Sequence, residues 1–209
     1  MLNPVEKRPI CHRCLRPLRT CICSLAKIHD NQIELLILQD GTEATNAKNT
    51  AGLLHLSLKN SQLYTYDADE PIFSSALNDL LFSGQKQPLL LYPPTIDALA
   101  LGLEMPAPTP DINHITADTL RLVVIDATWR KSRKMLYLNR LLQRLPRITL
   151  ENPPESLYLI RKADNKNQLS TLEASCYALR QLEQGCVDYS PLLASMREFV
   201  ARQTAFRPV

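Results

Sequence analysis

No stretch of this 209-residue chain approaches the roughly 20 consecutive apolar residues that a bilayer span needs. The first ten residues hold three charges and two prolines, and no apolar core of the kind that drives secretion. Both absences point to a soluble, cytoplasmic protein. Internal repeats and low-complexity tracts are missing too, so the chain reads as globular. Acidic residues are absent from two whole stretches. Residues 127–150 carry seven Lys or Arg and no Asp or Glu, and residues 7–19 carry five and again no acid. The acids gather elsewhere, as at Asp67, Asp69 and Glu70. The formal net charge is only +3, so it is this segregation, not the total, that describes a partner-facing basic surface. Solvated helix faces are the plainer alternative.

What is present fits one α/β domain with a small appendage, divided as residues 1–30 and 31–209. A hydrophobic content of 45 % is ordinary and sufficient for a sizeable core. Short apolar runs at 33–38, 62–66, 88–92, 121–126, 147–150 and 157–161 read as strands. Between and after them, 44–58, 74–82, 129–145 (with a break near Asn139), 170–184 and 191–206 read as helices, and the proline-rich 95–118 as a long loop. Strands alternating with helices imply a parallel sheet.

The run Leu122-Val123-Val124-Ile125 has no polar alternation, which marks a buried parallel strand. Asp126 ends it. In an open α/β sheet, ligands bind just beyond the carboxyl ends of the strands. Four positive charges follow, Arg130, Lys131, Arg133 and Lys134. A carboxylate at a strand end beside a basic helix suggests proton chemistry next to a bound polyanion. Capping the next helix, or orienting Trp129, is the structural alternative for Asp126. Ser170-Thr171-Leu172-Glu173 has the spacing of a capping box, and the same helix start offers hydroxyls and free N–H groups to a ligand.

Six cysteines are present, four of them between positions 11 and 23. Cys11-x-x-Cys14 and Cys21-x-Cys23 supply four thiolates, enough for a closed, structural tetrahedral zinc site. Metal binding would fold a segment too short to fold by burial alone. A reduced or redox-labile cluster is the alternative; no thioredoxin-like pattern surrounds the pair. His12 is a less suitable ligand inside the C-x-x-C turn, and Arg13, Arg16 and Arg19 give the segment a face for RNA backbone. Cys176 and Cys186 read as core thiols.

Taken together, these motifs resemble the DTW-domain family, the tRNA-uridine aminocarboxypropyltransferases. The likeness is carried by Asp126-Ala127-Thr128-Trp129, Asn49-Thr50, Leu91-Tyr92-Pro93, Arg130-Lys131-Ser132-Arg133-Lys134-Met135, Tyr158-Leu159-Ile160-Arg161, Ser170-Thr171-Leu172-Glu173 and the cysteine-rich start. It covers almost the whole chain. Two positions depart from the family pattern: Asp40-Gly41, where many members have His-Pro, and Gly52, where many have Arg.

The resemblance implies a SPOUT-like fold with a knot in the C-terminal half, around Leu150 to Ser170. It implies transfer of the 3-amino-3-carboxypropyl group of S-adenosylmethionine to N3 of a tRNA uridine, with methylthioadenosine released. Asp126 is the expected general base. Gln39, Leu91, Tyr92, Pro93, Thr128, Trp129, Ile160, Arg161, Ser170 and Thr171 are the expected cofactor contacts. Within that set, Leu91, Tyr92 and Pro93 flank adenosine, Trp129 stacks on a base or packs in the core, and Arg161 pairs with the cofactor carboxylate or with a protein acid. Arg130, Lys131, Arg133, Lys134, Arg140 and Arg144 are the expected tRNA phosphate contacts. Cys11, Cys14, Cys21 and Cys23 hold the zinc. A SPOUT-type RNA methyltransferase and a non-catalytic zinc-containing RNA-binding protein are the competing functions.

Overall fold

The computed structural model describes residues 9–67, 69–70, 72, 74–95, 98, 100–156 and 169–205. Its elements run β1 (Glu34–Asp40), α1 (Gly41–Ala44), α2 (Ala51–Ser57), β2 (Ser61–Tyr66), α3 (Ser74–Phe82), β3 (Gln87–Leu91), β4 (Leu120–Asp126), α4 (Trp129–Leu138), α5 (Arg140–Arg144), β5 (Arg147–Ile148), α6 (Thr171–Leu182) and α7 (Ser190–Ala205). The strands form one sheet in the order β2-β1-β4-β3-β5, and every described pairing is parallel. All carboxyl ends therefore share one rim.

Successive side chains of a strand face opposite sides of the sheet. Leu35, Ile37, Leu122 and Val124 point to one side and pack with α2, α6 and α7. Leu36, Leu38, Leu90 and Val123 point to the other and pack with α3, α4 and α5. Burying each such aliphatic side chain is worth about 1.5–3 kcal/mol, which explains why the central strands read as unbroken apolar runs. Ile22 and Leu25 of the N-terminal segment join the first of these cores.

The register decides what meets at the rim. Gln39 of β1 lies directly beside Asp126 of β4, on the α2 and α6 side. Asp40 and Tyr66 are paired one position on, on the α4 side. Tyr92, which follows β3, lies on that second side as well, packed against the α3, α4 and α5 core.

Three expectations are corrected. The helix over 44–58 is shortened to α2 (Ala51–Ser57), and a separate short helix, α1 (Gly41–Ala44), precedes it across residues 45–50. Asp40 caps α1 early by accepting from the Thr42 N–H at 3.1 Å. Asn46 and Asn49 then turn their side-chain oxygens onto the N–H groups of Lys48 (3.0 Å) and Ala51 (2.9 Å), which competes with helix continuation. The strand over 147–150 is shortened to two residues. Cys176 is buried, but Cys186 is exposed, because Gly185 adopts a positive φ of 76° and turns the chain outward after α6. The strand read over 157–161, Ile160 and Arg161, and most of the segment assigned to the knot lie outside the described residues. No helix among the described residues is long and apolar enough to cross a membrane.

Candidate active site and metal centre

Asp126 is 5 % exposed and sits in a cradle of three donors. Its Oδ2 accepts from Gln39 Nε2 at 2.9 Å and from Asn49 Nδ2 at 2.6 Å, and its Oδ1 accepts from Thr171 Oγ1 at 2.6 Å. The donors come from β1, from the loop between α1 and α2, and from the first residue of α6. They occupy three of the roughly four acceptor positions of a carboxylate and leave one, on Oδ1. A buried charge of this kind persists only when it is hydrogen-bonded this fully. Asp126 does not cap α4; Thr128 does, with its Oγ1 3.4 Å from the Lys131 N–H.

The capping box at α6 is present. Ser170 Oγ accepts from the Glu173 N–H at 3.2 Å, and the Glu173 carboxylate accepts from the Ser170 N–H at 2.8 Å. This fixes the helix start from which Thr171 reaches Asp126. Gln39, Ser170 and Thr171, expected to touch a cofactor, are thus engaged within the protein and hold Asp126 or the helix that holds it. The sequence gives Asn49 no role beyond its motif, and no spacing rule brings it 77 positions along the chain to Asp126.

A second cluster lies on the opposite face of the rim. Trp129 is 49 % exposed, which overturns the core-tryptophan reading, and its ring meets Tyr92 edge-on with centroids 5.6 Å apart. Tyr92 is buried, its hydroxyl lies 3.4 Å from Ser132 Oγ, and desolvation raises its phenol above the ordinary range. The Arg147 guanidinium lies over the other part of this cluster, 5.1 Å from the Tyr92 ring centre. Leu91 is half-buried and Pro93 exposed beside it.

The candidate phosphate contacts differ in how free they are. Lys131 departs from the expectation: its ammonium lies 2.7 Å from Asp40 Oδ1 and 2.9 Å from Thr42 Oγ1. Asp40 is 1 % exposed and requires a counter-ion there, and the bond to it raises the pKa of Lys131. Lys134 pairs with Asp69, and Arg140 and Arg144 with Glu104, all on the surface, where such pairs are worth little and are readily exchanged. Arg130 and Arg133 are exposed and have no carboxylate partner among the described residues.

At the N-terminus the sulfur atoms of Cys11, Cys14, Cys21 and Cys23 all lie within 4.8 Å of one another, with Cys11–Cys23 and Cys14–Cys21 at 3.7 Å. Tetrahedral zinc with bonds of about 2.3 Å requires an S···S edge of about 3.8 Å. The spacing is too long for a disulfide and right for a shared metal ion. The Cys14 and Arg13 backbone N–H groups hold the Cys11 thiol down to about 6, whereas burial pushes Cys23 up to about 12. Arg16, between the two cysteine pairs, joins this segment to the rim. Its guanidinium donates to the carbonyls of Ala47 (2.7 Å) and Asn49 (2.9 Å) and stacks on Phe199 at 5.3 Å. The non-consensus Gly52 faces the same segment, with the space for a Cβ bounded by Ile22 at 3.9 Å.

A parallel α/β domain with a buried acid at the sheet's carboxyl rim and a four-cysteine knuckle docked behind it is the class that fold and site define. The DTW domain model matches residues 8–204, and the chain belongs to the DTW domain family. It is similar to tRNA-uridine aminocarboxypropyltransferase 2 of Macaca fascicularis (28 % identity over 211 residues, 97 % of this chain and 66 % of that protein). The proteins of the same name from Mus musculus (28 %, 95 % of this chain, 64 % of that protein) and Drosophila melanogaster (28 %, 87 % and 69 %) are likewise similar. The chain thus spans about two thirds of the length of these relatives. No solved structure matches it.

The cradle predicts an energetic coupling. Thr171→Val removes one donor from a buried carboxylate and should lower stability by about 1–3 kcal/mol in urea unfolding. In an Asp126→Asn background, where no charge needs solvating, the same change should cost clearly less. Equal costs in both backgrounds would show that Thr171 does not solvate the acid.

Proposed function

We propose that this chain transfers the 3-amino-3-carboxypropyl group of S-adenosylmethionine to N3 of a tRNA uridine, releasing methylthioadenosine. The observation that carries the reading is the position of the family's signature aspartate. Asp126 is a fully cradled carboxylate at the carboxyl rim, with one Oδ1 acceptor position left over. Family membership and the names of the similar proteins support the same activity.

The donor's sulfonium, when bound, supplies an excellent leaving group, so the protein's share of the work is positioning and proton removal. Holding the nucleophile in line can be worth about 7–11 kcal/mol. Uridine N3 carries a proton at neutral pH, and Asp126 takes it as general base, a contribution of about 10²–10⁴-fold. N3 then attacks the methylene carbon beside sulfur, and the C–S electron pair leaves with the thioether. Gln39, Asn49 and Thr171 fix the base rather than touch the substrate. Trp129 presents an exposed ring on which a base stacks, typically worth about 1–3 kcal/mol. Arg130 and Arg133 take tRNA phosphates, with Lys134, Arg140 and Arg144 exchanging their surface carboxylates for phosphate. In this reading the knot around Leu150 to Ser170, with Ile160 and Arg161, completes the donor pocket. The four cysteines hold one structural zinc, which supplies folding energy to residues 9–25 and, through Arg16, steadies the loop that carries Asn49.

Two measurements test this. Bulk tRNA lacking the modification, incubated with the chain and donor labelled in its aminocarboxypropyl carbons, should yield labelled uridine by nucleoside mass spectrometry and one methylthioadenosine per transfer. Production of S-adenosylhomocysteine would instead indicate a methyltransferase, and label confined to free donor would contradict any transfer. Elemental analysis should find one zinc per chain, with affinity falling as pH is lowered, because each sulfur must lose its proton to bind. Removing the metal with a strong chelator should expose the Cys11–Cys23 segment to protease. Full protease resistance after complete removal would rule out the structural role.

A further inference from the structure

Two arginines of the sheet have guanidinium nitrogens sealed from solvent, Nε in Arg121 and both Nε and Nη1 in Arg147. Arg121 of β4 is 2 % exposed; its Nε makes no hydrogen bond among the described residues, but its two terminal nitrogens are bound on several sides. Its Nη2 lies 3.0–3.1 Å from both Glu34 oxygens and 3.1 Å from the Ser83 carbonyl, and its Nη1 lies 3.2 Å from Ser83 Oγ. Arg147 of β5 has no such partner. Its Nε and Nη1 are shielded from solvent and make no hydrogen bond among the described residues, and no carboxylate there pairs with it. What it does have is a platform, the face of Tyr92 at 5.1 Å, with Trp129 on that ring's edge. The Thr109 hydroxyl donates to the Arg147 carbonyl at 2.8 Å, fixing the strand from which the side chain projects. Leaving a buried cation without an acceptor is costly, and burial accordingly lowers the pKa of Arg147. A stacked guanidinium keeps its N–H groups in its own plane, directed at whatever lies beside the ring.

We infer that Arg147, stacked on Tyr92 beneath Trp129, is a recognition site for a small carboxylate, and that its ligand is the carboxylate of the transferred aminocarboxypropyl group. The assignment rests on the donor proposed above. Three observations favour a small carboxylate over a tRNA phosphate. Nε and Nη1 are sealed from solvent, so a ligand reaches them only by displacing the side chains over them, which a small group does more readily than a folded nucleic acid backbone. The exposed Arg130 and Arg133 already offer phosphates two free cations on the adjoining helix. Tyr92 and Trp129 beside the guanidinium suit a ligand with an apolar body and one charged end. Arg147 is therefore a specificity-determining residue: it gives the protein a hold on the part of the donor that is moved, which a methyl transfer would not require.

The test compares S-adenosylmethionine with its decarboxylated analogue, which keeps the sulfonium and the ammonium, by calorimetry on the full chain. The wild-type protein should prefer the carboxylated donor. Arg147→Met should weaken S-adenosylmethionine binding by about 10- to 100-fold, the range expected for losing hydrogen bonds to a charged group. Its affinity for the decarboxylated analogue should change by less than about twofold, since that ligand never used the guanidinium. Arg147→Lys keeps the charge without the planar fork and should fall between the two. Unchanged S-adenosylmethionine affinity in Arg147→Met would overturn the assignment. So would a parallel loss of both ligands, which would mean that the side chain only props up Tyr92. Failure of the wild-type chain to bind either ligand would overturn the donor reading itself, a separate result from loss of discrimination in the variants.

Discussion

Everything at the rim depends on keeping one charged carboxylate out of water. Asp126 ends a strand buried on both faces, so its desolvation must be answered by protein donors. Parallel pairing sets Gln39 beside it. The break between α1 and α2 lets Asn49 turn in. The capping box holds the start of α6 so that Thr171 arrives from the third direction. Three segments far apart in sequence are thereby pinned to one point, and a change in any of them reaches the acid.

The two-residue period of the sheet divides the rim into chemically distinct sides. One holds Asp126 and its donors. The other holds Tyr92, Trp129 and Arg147, with the Asp40–Lys131 pair beside α4. The transfer proposed above would draw on both sides, the buried carboxylate on one and the aromatic and cationic cluster on the other. The cysteine knuckle stands behind the acid side. Arg16 connects it to the carbonyl of the residue whose side chain touches Asp126, so the four-cysteine cluster and the buried carboxylate are tied to one loop.

Much of this is legible in the sequence alone. The apolar runs announced the central strands, because burial on both faces removes polar alternation. The capping box and the Cys-x-x-Cys and Cys-x-Cys pairs were legible, because their geometry is local. Asn139 ends α4, and its side chain doubles the last helical bond, donating at 2.7 Å to the Met135 carbonyl that also accepts from its backbone N–H. The break over residues 45–50 is not legible in the sequence, because Asn46 and Asn49 compete with the helix through side-chain bonds that hydrophobic spacing does not register. The partners of Asp126 and Lys131 were missed for a different reason. Sequence shows charges and hydroxyls but not which of them register places together, so the protein partners of Gln39, Thr171 and Lys131 are visible only in the fold. In the sequence Arg147 is one more basic residue; only the fold shows that no carboxylate among the described residues pairs with it.

The most direct measurement is the single-turnover rate of Asp126→Asn on saturating tRNA and donor, alongside its donor affinity and unfolding midpoint. The side chain keeps its size and most of its hydrogen-bonding capacity but cannot accept the uridine proton. The account predicts a folded protein that still binds the donor and transfers at least about 100-fold more slowly. Transfer at the wild-type rate by a folded, donor-binding Asp126→Asn protein would contradict it.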